Sequence, residues 1–305
     1  MSSFRCAHIS DLHFSKPCWS LSQFFSKRWL GNMNLMLARK QIYTPEHLHS
    51  LIDTFTRLDV EHVFITGDLS TTSAEGEFAL AQEFVESLKR ANLNVYVLPG
   101  NHDQYTAKAY RDQLFYQFFE TQYTPCSRFN LKKDGLTLAP LAPNWSLILL
   151  DTALATSLIS SCGLFNRELE EKLETALKEI PSTHNFILAN HFPFFHNDSP
   201  RKMLKRGSEL RGILERNPQI RLYIHGHTHR HCIADLRASN LPIVLDSGST
   251  AHQKIGSWNL IDISTNGCTV QPYYWQIGSD KGTNQWISKD PKIFTWELSD
   301  VTTLV

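Results

Sequence analysis

Short apolar runs alternate with longer amphipathic stretches along most of the chain. Apolar runs bounded by Gly, Pro, Asn and Asp are typical of buried strands, and apolar residues at helical spacing are typical of helices. The predicted strands span residues 4–9, 60–66, 95–98, 145–151, 186–189, 221–224, 242–245, 258–263 and 268–276, and the predicted helices span residues 45–58, 73–91, 106–125 and 166–180. The alternation up to residue 98 favours a parallel sheet with right-handed crossovers, and the last three strands are predicted to form a second sheet.

Five of these predicted strands are followed closely by Asp, Asn or His. The residues concerned are Asp11, His13, Asp68, Asn101, His102, Asp103, His191, His227 and His229. In open α/β sheets the carboxyl ends of the strands form the edge at which ligands bind. Oxygen donors mixed with imidazoles, without cysteine, suit Mn, Mg, Fe or Zn. Gly226 allows a sharp turn that brings His227 and His229 close together.

Composition narrows the class of protein. The 305 residues suffice for one large α/β domain or two small ones, and the hydrophobic share of 42% is that of a globular protein. The formal net charge of zero gives no overall field for nucleic acid, so no nucleic-acid partner is expected. The six cysteines form no C-x-x-C pair and indicate reduced thiols. Without a secretory signal or a bilayer-spanning run, we expect a cytoplasmic protein or one on a membrane surface, and no obligate protein partner is inferred.

The series Asp-x-His, Gly-Asp, Gly-Asn-His-Asp, a lone His and Gly-His-x-His, each behind a predicted strand, resembles the signature of the calcineurin-like metallophosphoesterases. Each block alone is weak, but five blocks in order between residue 4 and about residue 250 are specific. The resemblance implies an α/β fold, a four-layer αββα sandwich of two mixed sheets flanked by helices. It also implies a single domain over residues 1–276 with a tail over residues 277–305.

The same resemblance implies two divalent metal ions, most simply Mn²⁺, with Mg²⁺, Fe²⁺ or Zn²⁺ as alternatives. The implied first site is Asp11, His13, Asp68 and His229, and the implied second site is Asp68, Asn101, His191 and His227. Asp68 would bridge the two ions, which together activate water and stabilise phosphoryl charge. His102 would be the catalytic histidine that protonates the leaving oxygen, and Asp103 would orient it.

Residues 14–45 form an unusual insertion, since they contain five basic residues, many apolar and aromatic ones, and no Asp or Glu before Glu46. This composition favours either an interfacial segment on anionic lipid or an insertion that covers the core. Because it begins one residue after His13, we expect it to cap the active site. A second basic stretch follows His191 and is either a solvated helix face or a phosphate clamp. The candidate substrate-binding residues are Phe24, Phe25, Trp29, Arg39, Lys40, Arg201 and Lys205.

Within the family, the basic-aromatic insertion resembles that of the LpxG-type UDP-2,3-diacylglucosamine diphosphatases of lipid A biosynthesis. This resemblance implies cleavage of a pyrophosphate bond to give UMP and 2,3-diacylglucosamine 1-phosphate. It also implies an acylated nucleotide-sugar substrate and a peripheral position on the cytoplasmic face of the inner membrane. One alternative is a soluble phosphodiesterase acting on cyclic nucleotides or nucleic acid. The other is an inactive membrane-binding scaffold, which would bind no metal.

Overall fold

The computed structural model describes residues 3–16, 45–124, 128–157, 160–196, 199–278 and 284–297. Most of the predicted insertion therefore lies outside the described residues, and so do Phe24, Phe25, Trp29, Arg39 and Lys40. Within the described ranges, no helix is long and apolar enough to cross a membrane.

The described residues form strands and helices that follow the predicted alternation. The strands are β1 (Phe4–Ile9), β2 (His62–Ile65), β3 (Asn94–Val97), β4 (Leu136–Ala142), β5 (Trp145–Leu150), β6 (Gly163–Leu164), β7 (Asn185–Asn190), β8 (Leu204–Lys205), β9 (Ile220–His225), β10 (His231–Asp235), β11 (Ile243–Ser247), β12 (Ser257–Ile263), β13 (Gly267–Gln276), β14 (Gln285–Ser288) and β15 (Lys292–Thr295). The α-helices are α1 (Ser50–Arg57), α2 (Glu75–Arg90), α3 (Ala107–Arg111), α4 (Leu131–Asp134), α5 (Arg167–Glu179) and α6 (Gly207–Arg216). Short 3₁₀ helices lie at Pro45–Leu48, Leu114–Gln117 and Arg237–Ser239.

Two mixed sheets carry the fold. The first has the strand order β14-β13-β12-β1-β2-β3, with β15 also pairing with β13, and the second has the order β10-β11-β9-β7-β5-β4. β1, β2 and β3 are parallel to one another, as are β5, β7, β9 and β11. The predicted parallel arrangement of the first three strands is confirmed.

Three apolar clusters define the layers. One cluster lies between the sheets and includes Phe64 and Ile261 of the first sheet with Leu222 of the second. A second cluster joins the first sheet to α1 and α2, and a third joins the second sheet to α5 and α6. The four longer helices, α1, α2, α5 and α6, each bury an apolar stripe against a sheet, which is how amphipathic helices are stabilised. The four-layer αββα sandwich predicted from the family resemblance is confirmed.

The assignment of the last strands to a second sheet is wrong for two of the three. Only β11 joins the second sheet, whereas β12 pairs with β1 and β13 pairs with β12 in the first sheet. Trp258 on β12 stacks on Tyr273 of β13 at 4.3 Å and contacts Phe55 of α1, so these strands are held by the helix layer of the first sheet. The segment after residue 277 adds β14 and β15 to the same sheet.

The predicted helix over residues 106–125 is also wrong as a single element. The chain forms α3 and then a 3₁₀ helix, separated by Gln113 in the left-handed conformation at φ 49°. This break turns Phe115 and Phe119 inward, where both are buried beside Phe78 of α2. Burial of such aromatic rings outweighs the small free-energy gain of a continuous helix.

Candidate metal centre and active site

The loops that follow β1, β2 and β9 bring one group of metal-binding side chains together. Asp11, His13, Asp68 and His229 each offer a ligand atom, and these atoms lie within 4.8 Å of one another. Asp11 Oδ1 is buried, lies 2.9 Å from His229 Nε2, and has no hydrogen-bond donor among the described residues. A buried carboxylate oxygen without a donor, facing imidazole nitrogens, fits a divalent cation.

A second group adjoins the first. Asn101 Oδ1 lies 3.2 Å from His191 Nε2 and 2.8 Å from His227 Nδ1. Asp68 Oδ1 lies 3.5 Å from the same nitrogen of His191. Asp68 therefore contacts both groups, as a carboxylate shared between two ions must. The structure thus brings together all seven ligand candidates.

Backbone carbonyls fix the histidines of the second group. His191 Nδ1 lies 2.8 Å from the carbonyl oxygen of Thr66, and His227 Nε2 lies 2.9 Å from that of Lys202. Because a carbonyl oxygen only accepts, these nitrogens carry the protons. The opposite nitrogen of each ring, which faces Asn101, is therefore the one that can bind a metal when it carries no proton, the usual arrangement around metal-binding histidines.

Several ligand residues occupy the left-handed backbone region. The positive φ angles are 56° at Asp11, 46° at His13, 53° at Asp68, 70° at His227 and 55° at His229. Non-glycine residues in this conformation cost roughly 1–3 kcal/mol each and cluster at functional sites. Each such residue lies within four residues after the end of a strand, where the left-handed backbone lets the loop turn sharply.

Gly226 serves the site in a way that differs from the predicted one. An added Cβ at this position would lie 1.9 Å from Ser10 Oγ and 2.4 Å from Asp11 Oδ2. The glycine is therefore required by the close approach of the two sheet edges rather than by a special backbone angle. Its neighbour His227 donates its backbone N–H to Asp11 Oδ2 at 3.1 Å, which ties the β9 loop to the β1 loop.

His102 lies beside the first ligand group. Its ring is 5.0 Å from that of His13, and Asp68 Oδ1 accepts its backbone N–H at 2.7 Å. His102 Nδ1 donates to the carbonyl oxygen of Thr71 at 2.7 Å, and Tyr105 stacks on the ring at 5.4 Å. The ring is thus held with Nε2 as the nitrogen that can exchange a proton.

The predicted role of Asp103 as the group that orients His102 is wrong. Its carboxylate accepts the backbone N–H groups of Leu69 at 3.1 Å, Ser70 at 2.8 Å and Gly100 at 2.9 Å. Asp103 instead fastens the loop after β2 to the loop after β3, which fixes Asp68 relative to Asn101. It is a positioning residue and does not touch the reacting atoms.

The carboxylates and histidines of the site shift one another's pKa. Burial alone would raise the pKa of Asp11, but His229 outweighs this effect and lowers that pKa to about 2. Burial would likewise lower the pKa of His191, but the Asp68 and Asp11 carboxylates raise it to about 9. The buried carboxylates therefore attract positive charge strongly, and a divalent cation would take the place of the His191 proton.

Some supporting groups could not be found from the sequence. The carbonyl oxygens of Thr66, Thr71 and Lys202 have no sequence signature, since every residue has a backbone carbonyl group. Asp246 did carry a signal, because it lies near the carboxyl end of another parallel strand, β11. It accepts a hydrogen bond from Thr228 within the Gly-His-x-His turn and lies 3.5 Å from His225.

The candidate substrate-binding residues Arg201 and Lys205 are exposed and form no ion pair within the described part of the chain. The bond between His227 and the Lys202 carbonyl holds this basic segment against the second ligand group. In contrast, Arg206 forms ion pairs with Glu170 and Glu209 within the fold. Binding of substrate by Arg201 and Lys205 stays a prediction.

Comparisons with known proteins agree with this geometry. The sequence profile of the calcineurin-like phosphoesterase family matches residues 4–231, a range that contains all seven ligand candidates. A 3',5'-cyclic-nucleotide phosphodiesterase of Nostoc sp. strain PCC 7120 is 25% identical over 224 residues, which cover 69% of this chain and 75% of that protein. The 3',5'-cyclic adenosine monophosphate phosphodiesterase CpdA of Escherichia coli K12 is 23% identical over 188 residues, which cover 59% of this chain and 58% of that protein.

Solved structures show the same fold. A dimetal phosphatase from Danio rerio superposes with a TM-score of 0.61 at 12% identity, covering 93% of this chain and 98% of that one. A purple acid phosphatase from yellow lupin has a TM-score of 0.57 at 12% identity, covering 90% of this chain and 52% of that one. The family match and the assembled ligand set lead to one conclusion: the chain belongs to the calcineurin-like phosphoesterase family and is a metal-dependent phosphoester hydrolase.

Proposed function

We propose that this hydrolase cleaves the pyrophosphate bond of UDP-2,3-diacylglucosamine, giving UMP and 2,3-diacylglucosamine 1-phosphate. The proposal rests on one observation, the basic-aromatic insertion whose described ends lie beside the metal centre. We further propose Mn²⁺ as the metal used, and a peripheral position on the cytoplasmic face of the inner membrane, where an anionic surface would attract the insertion.

Both ends of the insertion are fastened next to ligand loops. At one end, the backbone N–H of Phe14 donates to the Leu69 carbonyl oxygen at 2.7 Å, one residue after Asp68. At the other end, His47 Nε2 lies 2.9 Å from the Thr250 carbonyl oxygen, and the Thr250 N–H donates to the Ser10 carbonyl oxygen at 2.9 Å. These attachments support a cap over the mouth of the site.

The chemistry of the insertion suits a lipid substrate. Each buried methylene contributes about 0.8 kcal/mol, so apolar side chains at the mouth would favour two acyl chains over a soluble nucleotide. The basic residues of the insertion, together with Arg201 and Lys205, would hold a diphosphate through charge-assisted hydrogen bonds. The substrate's two chemical halves therefore match the two kinds of side chain supplied.

The residues of the site would have two roles in the reaction, to hold the metal ions and to donate a proton. Two divalent cations, when bound, supply Lewis acidity and lower the pKa of water. Asp68 would hold both ions, and His191 and His227, whose rings are oriented by backbone carbonyl oxygens, would hold the second. His102, with Nδ1 donating to Thr71, would give a proton from Nε2 to the leaving phosphate oxygen.

A second candidate is a cyclic-nucleotide phosphodiesterase, because both curated relatives described above carry that activity in their names. The same metal centre would serve this reaction, since hydrolysis of a cyclic diester also needs an activated water and a protonated leaving oxygen. The two candidate functions differ in whether they need the insertion, because a small soluble substrate does not require an apolar cap.

The deciding experiment compares three substrates with added Mn²⁺: UDP-2,3-diacylglucosamine, 3',5'-cyclic AMP and bis-nitrophenyl phosphate. Full-length protein is assayed beside His102→Ala and, as a matched control, His184→Ala, which lies before β7 at the end away from His191. We expect UMP release from the lipid, lost in the His102 variant and kept in the control. Hydrolysis of cyclic AMP without UMP release would overturn the lipid proposal in favour of the second candidate.

A further inference from the structure

A cavity of about 360 Å³ is lined in part by the loops that follow β3 and β5. This volume falls within the roughly 300–1,000 Å³ range of small-molecule sites. Two of its lining residues lie next to residues of the second ligand group in sequence or in contact. Gln104, which lines it, is three residues after Asn101, and Thr152, which also lines it, donates to Asn190 Oδ1 at 2.7 Å, next to His191.

The wall nearest the metal centre presents hydrogen-bond acceptors. Gln104 is 2% exposed, and its Oε1 atom is buried without a partner among the described residues. An unsatisfied buried acceptor costs roughly 1–3 kcal/mol, so its retention points to a donor supplied by a ligand. Asp151 lines the same cavity, and its carboxylate accepts hydrogen bonds from Tyr116 and from the backbone N–H of Ala153.

The rim of the cavity is aromatic and basic. The Tyr110 side chain lines it while remaining 44% exposed, which leaves ring surface for stacking. Lys132 and Lys133 also line it and form no ion pair within the described ranges, in contrast to Lys172, which pairs with Asp134 and Glu168. The combination of buried acceptors, a stacking ring and free ammonium donors matches a nucleobase, a flat ring with both N–H donors and acceptor atoms at its edge.

We propose that this cavity is the subsite for the nucleoside part of the substrate. Gln104 Oε1 accepts from a base N–H, Tyr110 stacks on the base, and Lys132 donates to its acceptor atoms, while the attached phosphate reaches the second metal site beside Asn101. The inference rests on the proposed nucleotide substrate, and it applies equally to a nucleoside diphosphate sugar and to a cyclic nucleotide.

The test measures inhibition of bis-nitrophenyl phosphate hydrolysis by UMP and, separately, by inorganic phosphate. Full-length Gln104→Leu and Tyr110→Ala are compared with wild type and with Lys108→Ala, a control on α3 whose exposed side chain pairs with Asp112. We expect the inhibition constant for UMP to rise about tenfold in the two cavity variants, the effect of one lost hydrogen bond or stacking contact. The constant for phosphate should stay within twofold throughout.

An unchanged UMP constant in both cavity variants would overturn the subsite. So would parallel weakening of UMP and phosphate, because that pattern indicates damage to the metal centre. Lys132→Ala changes a half-buried side chain at the rim and guards against loss of folding, and it too should weaken UMP alone. Since no step of this assay requires cleavage of the lipid substrate, failure of the subsite and failure of the proposed function give different results.

Discussion

Gly226→Ala tests how closely the two sheets must approach to build the metal centre. The new methyl group would lie 2.4 Å from Asp11 Oδ2 and 1.9 Å from Ser10 Oγ, whereas ordinary contacts begin at 3.4 Å. The carboxylate would have to withdraw by about 1 Å, and the hydroxyl by about 1.5 Å. A displacement of about 1 Å at a reacting centre costs roughly 100-fold in rate, and overpacking costs about 1–3 kcal/mol of stability.

The assay is Mn²⁺-dependent hydrolysis of bis-nitrophenyl phosphate, with bound metal counted after gel filtration and stability measured by urea unfolding. Gly212→Ala is the matched control, because an added Cβ there would meet only the flexible end of Arg216 at 3.2 Å within α6. We expect the control to be active and up to about 1 kcal/mol more stable. A Gly226→Ala protein with wild-type turnover and full metal content would refute the reasoning.

Four further predictions concern protons and metal. His102→Ala should lower kcat by about 10²–10⁴-fold while metal content stays unchanged, and loss of metal would contradict its non-ligand role. Mn²⁺ binding should release a proton from His191, whose pKa is raised to about 9 by the nearby carboxylates in spite of burial. The apparent affinity should then rise about tenfold per pH unit below that value, and calorimetry in buffers of different ionisation enthalpy would count the protons. A chelator should abolish activity, and Mn²⁺ should restore it. Burial raises the pKa of Asp151 from 3.8 to about 6, so in this window the folded protein keeps a proton that the unfolded chain has released. The contribution of Asp151 to the free energy of unfolding should therefore fall by about 1–3 kcal/mol as the pH rises from about 4 to about 6, and Asp151→Asn should lessen the measured fall by that amount in urea titrations.

Local signals predicted most of the fold. The apolar runs located β1, β2 and β3 to within two residues, and Asn166, which accepts the Leu169 N–H at 2.8 Å, caps α5 as its side chain predicts. The sequence could not show which sheet each of the late strands joins. Both sheets contain buried apolar strands, so the sequences of β12 and β13 do not indicate to which sheet either strand belongs. The left-handed turn at Gln113 also has no local sequence signature.

The ligand set could be predicted because strand ends in an α/β fold are constrained to one edge, where a few Asp, Asn and His residues stand out. The groups that aim those ligands could not. His191, His227 and His102 are oriented by backbone carbonyl oxygens, which only the fold brings within reach. Asp103 shows the opposite case, because it adjoins His102 in sequence while its carboxylate binds the backbone N–H groups of Leu69, Ser70 and Gly100.

The most direct test of the dinuclear centre is anomalous diffraction from crystals of the full-length protein grown with Mn²⁺. We predict two peaks about 3.5–4 Å apart. The first should lie among Asp11, His13, Asp68 and His229, and the second among Asp68, Asn101, His191 and His227. A single peak, or peaks without Asp68 between them, would contradict the shared-carboxylate centre on which the proposed hydrolysis depends.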